Sequence, residues 1–317
     1  MGLRIPDRWI WDFWFTQVGP DYHLFYLQAP RDLGEESLRH WHVSIGHAVS
    51  SDLCRWEILP DALGPSPEET AWDNCTTWTG SVLEEKGTWY MFYTGTRRDE
   101  QGLVQRIGAA TSQDLTHWKK HPRPLLTADP TWYETLDAAL WHDQAWRDPW
   151  VFKRGETYHA LITARRNHGS KFRRGTIGHA TSKDLFDWQV KPPLEVPALY
   201  GYYEVPQLIE MADRWYLIFS VTKEHTAQDP TLSRAVSGTH YLAADQPLGP
   251  YRLLEDQFLA GDSLGSRYSG KILPGPGGEW VFLACRAYQP DGGFRGEITD
   301  PLPLDLRSDG TLRLTAS

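Results

Sequence analysis

The chain has 317 residues, with 41 acidic against 32 basic side chains for a net charge of −9, and 40% hydrophobic content that includes 16 tryptophans. A chain this long and this aromatic buries enough apolar surface to fold, which excludes disorder, and its acidic balance argues against a nucleic-acid partner. No apolar run approaches the ~18 residues of a bilayer span, so no membrane partner is expected.

From the N-terminus, Met1–Pro6 shows no apolar leader, which gives a cytoplasmic location as the expectation. An aromatic strand follows at Tyr22–Tyr26, and then Ile45-Gly46-His47-Ala48-Val49-Ser50-Ser51-Asp52-Leu53-Cys54-Arg55-Trp56. That block returns at Ile107–Trp118 and Ile177–Trp188, and in worn form at Thr239–Tyr251. The copies are about 60 to 70 residues apart, the signature of a repeat architecture. Aromatic strands precede the copies at Trp89–Tyr93, Tyr158–Ile162 and Trp215–Phe219, and a fifth stands at Trp280–Ala284. One more strand leads each unit: Trp11–Phe15, Trp78–Leu83, Trp146–Phe152, Tyr203–Ile209 and Tyr268–Leu273. Each unit therefore reads as four short antiparallel strands, and five units make an all-β, five-bladed β-propeller, a single domain over residues 1–317. In the S-x-D-L-x-x-W element, Asp opens a turn by bonding its own backbone while Leu and Trp pack back into the blade.

In a propeller the first strand of each blade lines the central channel. Those strands supply Trp11-Asp12-Phe13-Trp14, Trp78-Thr79-Gly80-Ser81, Trp146-Arg147-Asp148-Pro149, Tyr203-Glu204-Val205-Pro206 and Tyr268-Ser269-Gly270-Lys271. Three carboxylates at what reads as one repeat position, amid aromatics, are costly as pure structure. Carboxylates with separated pKa values across an aromatic pocket are what glycoside hydrolysis needs. Trp11, Trp14, Trp78, Trp146 and Trp150 begin or follow these strands and are expected beside the pocket.

These motifs resemble glycoside hydrolase families 32 and 68, the invertases, fructanases and levansucrases. Tyr22–Tyr26, Gly46–Ser50, Trp56-Glu57, Leu59-Pro60 and Tyr93-Thr94-Gly95 look like family 32; Trp11-Asp12-x-Trp14, Trp78–Ser81 and Glu204–Gln207 look like family 68; Arg147-Asp148-Pro149 fits both. The resemblance implies a β-fructofuranosidase or fructosyltransferase acting on a fructoside. It makes Asp12 the nucleophile, Glu204 the acid/base and Asp148 the transition-state stabiliser. It also implies that Arg147 orients Glu204 or a hydroxyl, that Trp11 and Trp78 wall the sugar site, that Ser81 bonds the nucleophile or a hydroxyl, and that Tyr268 contacts substrate. Family 32 chains usually continue into a C-terminal β-sandwich, for which the residues after the fifth unit are too few.

Two other readings stay open: a family 43-like inverting arabinofuranosidase or xylosidase, and a non-catalytic carbohydrate-binding propeller. No cofactor and no metal are expected. Cys54, Cys75 and Cys285 form neither a disulfide framework nor a zinc motif, and His40, His42 and His47 read as packing residues. The basic run Arg165, Arg166, Lys171, Arg173 and Arg174 reads as a solvated loop, with recognition of a substrate phosphate as its sharper alternative. The sequence fixes no oligomeric state.

Overall fold

The computed structural model describes residues 2–137, 139–227, 232, 236–254, 258–288 and 292–315. Its strands form five antiparallel sheets arranged as the blades of a propeller. Blade I holds β1 (Arg8–Val18), β2 (Asp21–Pro30), β3 (Ser44–Ser50) and β4 (Glu57–Leu63). Blade II holds β5 (Thr76–Glu85), β6 (Thr88–Thr96), β7 (Arg106–Ser112) and β8 (Lys119–Lys120). Blade III holds β9 (Trp146–Arg154), β10 (Thr157–Arg165), β11 (Gly175–Ser182) and β12 (Trp188–Lys191). Blade IV holds β13 (Glu204–Met211), β14 (Arg214–Val221), β15 (Ser237–Ala244) and β16 (Phe258–Asp262). Blade V departs from the four-strand pattern. After β17 (Tyr268–Pro274) and β18 (Trp280–Tyr288), the place beside β18 is shared by β19 (Phe294–Ile298) and β20 (Leu302–Leu306), and β21 (Leu312–Leu314) adds a fifth strand. Leu3 closes the ring by accepting the Ile298 N–H at 3.0 Å. No helix among the described residues is long and apolar enough to cross a membrane.

Strand alternation explains why the blades stack. On β10, Ala160, Ile162 and Ala164 join a core shared with blade II, whereas Leu161 joins a core shared with blade IV. Each sheet is thus apolar on both faces and lies between two of five inter-blade cores, and burial of this kind contributes about 25 cal/mol per Å² of apolar surface.

The repeated S-x-D-L-x-x-W element is the outer corner of a blade. Asp52 accepts from the N–H groups of Cys54 and Arg55 at 2.9 and 2.7 Å, Asp114 from Thr116 and His117 at 2.9 and 2.8 Å, and Asp184 from Phe186 and Asp187 at 2.9 and 2.8 Å. These bonds hold Leu53, Leu115 and Leu185 at φ of 60°, 63° and 72°, a conformation that costs a non-glycine residue of order 1 kcal/mol. The buried leucines return that cost. The tryptophans then reach the preceding blade: Trp118 meets Phe25 of blade I edge-on at 5.8 Å, and Trp188 meets Phe92 of blade II at 5.6 Å. The repeat signal is therefore the stitching between blades.

Candidate active site

Every leading strand carries a register irregularity at its channel end, where an extra residue is inserted against the second strand. A bulge of this kind re-aims side chains, and here it produces two tiers. The outer tier is Trp11, Trp78, Arg147, Glu204 and Tyr268; the inner tier is Asp12, Thr79, Asp148, Val205 and Ser269. The expectation that all three carboxylates share one repeat position is thus corrected: Asp12 and Asp148 are equivalent, and Glu204 stands one residue earlier. Asp148, Val205 and Ser269 have φ of 57°, 51° and 54°, so three of the five bulges pass through the left-handed region. Hydroxyls on the second strands brace them. Thr94 accepts the Asp148 N–H at 2.9 Å, and Ser220 accepts the Ser269 N–H at 2.8 Å.

The tiers open into a cavity with two connected lobes of about 420 and 410 Å³. Asp12 and Glu204 border both, Arg147, Asp148 and Trp78 the first, and Tyr268 the second. Trp11 meets His40 edge-on at 5.8 Å, and the Trp78 indole N–H donates to the His40 carbonyl at 3.0 Å. Asp12 accepts from Ser269 through Oδ1 and from Thr79 through Oδ2 at 3.3 Å. Glu204 is held on one oxygen by the Arg147 guanidinium and on the other by the Tyr268 hydroxyl. Arg147 also faces Asp143 at 3.3 Å and Asp148 at 3.6 Å, so one buried cation serves three carboxylates.

Burial raises the pKa of Asp12; the Ser269 hydrogen bond opposes this and the Glu204 charge adds to it. Burial likewise pushes Asp148 up to about 7, with the Arg147 charge pulling down and Glu204 and Asp12 pushing up. The geometry agrees. The Thr163 hydroxyl lies 2.9 Å from both Asp148 Oδ2 and the Tyr203 carbonyl, and one hydroxyl hydrogen serves only one of them at a time, which leaves a place for a proton on Asp148.

Several sequence expectations need revision. Ser81 does not reach Asp12: its hydroxyl accepts the Val151 N–H of blade III at 3.0 Å, and the hydroxyls on Asp12 are Thr79 and Ser269. The bulge is the cause, because it turns Thr79 inward and leaves Ser81 facing the next blade. Trp14 and Trp146 are fully buried in inter-blade cores, against Phe25 and Tyr133, and Trp150 lines a separate cavity with Phe15 and Pro274. Only Trp11 and Trp78 of that set border the pocket, joined by exposed Trp41. In the basic run, residues 167–172 form an exposed loop as expected, but Arg165 and Arg174 at its two ends are structural. Arg165 is 1% exposed, paired with Glu134 at 2.9 Å and laid over the Trp141 ring at 3.6 Å; Arg174 takes the other Glu134 oxygen at 2.6 Å. His47 stacks on Phe25 and bonds His23 at 2.9 Å, and among the described residues no group of three His, Cys, Asp or Glu side chains is placed to hold a metal. Sequence reasoning missed Thr79 and Ser269, which aligning the repeats by their second strands finds, and also His40, Trp41, Gln105 and Asp143, which come from unrepeated loops.

The signature described as "Glycosyl hydrolases family 32 N-terminal domain" matches residues 14–247; Asp12 and all of blade V fall outside that span. The chain is 25% identical over 241 residues to a sucrose-6-phosphate hydrolase of Escherichia coli, covering 69% of this chain and 42% of that protein. It is 32% identical over 201 residues to a β-fructofuranosidase, insoluble isoenzyme, of Arabidopsis thaliana, covering 60% of this chain and 32% of that protein. It therefore spans less than half the length of these curated relatives. Among solved structures, an inulosucrase of Halalkalicoccus jeotgali bound to kestose superposes with a TM-score of 0.79 at 21% identity, over 99% of this chain and 89% of that one, which shows the shared fold. On the family match over most of its length, the chain belongs to glycoside hydrolase family 32.

Proposed function

We propose that the chain is a retaining glycoside hydrolase or fructosyltransferase that cleaves the β-fructofuranosidic bond of sucrose or fructo-oligosaccharides. The observation that carries this reading is the convergence of Asp12, Asp148 and Glu204 on one tryptophan-walled cavity, with Arg147 bridging Asp148 and Glu204 and two hydroxyls holding Asp12. A flat indole such as Trp11 or Trp78 suits the C–H face of a sugar ring, and the carboxylates suit its hydroxyls. Asp12 attacks the anomeric carbon, the C–O bond to the leaving group breaks, and Glu204 delivers its proton to the departing oxygen. Asp148 accepts hydrogen bonds from ring hydroxyls and stabilises the positive charge of the oxocarbenium-like transition state. Glu204 then deprotonates the incoming water or sugar, which takes the fructosyl unit from Asp12. Arg147 and Tyr268 aim Glu204 throughout. In these steps the chain's own residues act on the substrate and on the incoming water or sugar, and a cytoplasmic location remains part of the proposal.

Incubation with sucrose, inulin, levan and an aryl arabinofuranoside, with NMR following the anomeric configuration of the first-formed product, tests the reading. Release of β-configured fructose, or its transfer with retention, supports it. Turnover of the arabinoside alone, or inversion, replaces it with the family 43-like alternative, and binding without turnover replaces it with the carbohydrate-binding module.

A further inference from the structure

Lys271 is 2% exposed and sits on β17, two residues past the Ser269 bulge. It borders neither lobe of the cavity, so the proposed mechanism gives it no work. Burying an ammonium is expensive unless partners compensate, and the partners here are specific. Its Nζ donates to the Val205 carbonyl at 3.0 Å, and the Val205 N–H donates to Asp148 Oδ2 at 3.1 Å. Val205 directly follows Glu204 and holds φ at 51°, a genuine outlier for a β-branched residue. Such a conformation costs about 1–3 kcal/mol and persists only where the surroundings over-determine it. Here both peptide units flanking Val205 are tied down, one by Asp148 and the other by Lys271. The preceding carbonyl, that of Tyr203, is tied by Thr163 at 2.9 Å. The backbone under Glu204 is therefore fixed at three consecutive points.

We propose that Lys271 is a positioning residue of this site: it locks the Val205 backbone from which Glu204 projects, and its ammonium offsets the charge that Asp12 and Asp148 carry beneath the bound sugar. The inference rests on the fructoside-cleaving reading and assigns a residue that reading leaves idle. The charged groups that act on Lys271 are Asp12 of β1 and Asp148 of β9; burial pushes its pKa down to about 8 while those two carboxylates push it up. The loss of its proton thus falls near the alkaline edge of neutral pH.

Three variants separate the two roles. Lys271→Met removes both charge and donor, Lys271→Gln keeps a donor without charge, and Lys271→Arg keeps both with a charge that does not titrate in this range. Steady-state kinetics from pH 4 to 9.5 are measured on sucrose and on an aryl β-fructofuranoside, whose activated leaving group needs little protonation. For Lys271→Met the acid limb of the kcat/KM profile moves up by about one pH unit, because removing a nearby cation raises the carboxylate pKa. Its kcat on sucrose falls about 10- to 100-fold, with a smaller fall on the aryl fructoside and KM within about 3-fold on both. Lys271→Gln shows the same acid-limb shift with a smaller penalty on sucrose, and in Lys271→Arg the acid limb stays while the alkaline fall near pH 8 moves up. Should the Met variant not fold, the Gln and Arg profiles carry the test alone. An acid limb unmoved in a folded neutral variant, or equal losses on both leaving groups, overturns the proposal. Failure of the wild-type chain to cleave either fructoside overturns the functional reading instead.

Discussion

Asp148 is the residue at which this site works against the fold, and Asp148→Asn isolates the effect. In the folded chain its pKa is about 7, against ~3.9 for an unperturbed aspartate. Because the folded pKa is raised, the native state binds the proton more tightly than the unfolded chain does. Stability from this group is complete below about pH 4 and is lost as pH rises through 7. About three units at ~1.4 kcal/mol each give roughly 4 kcal/mol lost by pH 8. The asparagine is isosteric, and its oxygen can accept the Val205 N–H where Oδ2 does now, while the ionisable group disappears. At about 2.1 cal/mol/K per residue, the unfolding entropy of 317 residues converts 4 kcal/mol to a melting-temperature difference of about 6 °C. The assay is thermal and urea unfolding of both chains from pH 4.5 to 8.5. The variant matches wild type near pH 4.5 and gains on it steadily to pH 8, while turnover is lost by at least about 100-fold because a ring-hydroxyl acceptor is gone. The burial argument is refuted if the two chains keep the same pH slope, or if the variant is less stable throughout.

Glu204→Gln lowers turnover of sucrose by about 10²–10⁴-fold, the range of a lost general acid, and an aryl fructoside assayed alongside is hurt least in the step that forms the glycosyl-enzyme. Ser269→Ala removes a hydrogen bond that lowers the Asp12 pKa, so the acid limb of its kcat/KM profile moves upward. Ser81→Ala, which loses only its bond to Val151, leaves that limb in place and lowers the melting temperature instead; identical pH profiles for the two serine variants would contradict the bulge geometry. Glu134→Ala strips buried Arg165 of its paired carboxylate and costs about 3–5 kcal/mol in urea unfolding, with KM for sucrose 6-phosphate relative to sucrose unchanged.

What was legible in the sequence and what was not divide along one physical line. The blade corners could be read because each is a local device: an Asp that caps its own turn, a Leu in the left-handed region and a Trp that reaches the preceding blade, all within seven residues. Selection for stacking repeats that device in three blades, and the aromatic and leading strands that accompany it carry the count to five. The chemistry depends instead on where one inserted residue sits in each leading strand, and pairing against the second strand decides that. Slipping a strand by one residue exchanges its faces. Arg147, Glu204 and Tyr268 therefore rise to one tier and Asp12 and Asp148 sink to another, although the tripeptides look interchangeable in sequence. The same shift hides Thr79 and Ser269 and makes Ser81 look like a ligand of the nucleophile position. Arg165 is misread for a related reason, since its partner Glu134 lies in another loop and nothing local announces the pair. The two tiers also give the site its logic. Equivalent positions point at equivalent depths, so in the proposed mechanism the two aspartates are set to meet the sugar ring, while Glu204, one step nearer the mouth, is set to face the bond to be broken. A repeat that placed all three at one level would bring three carboxylates to the same depth and leave none at the level of the leaving group.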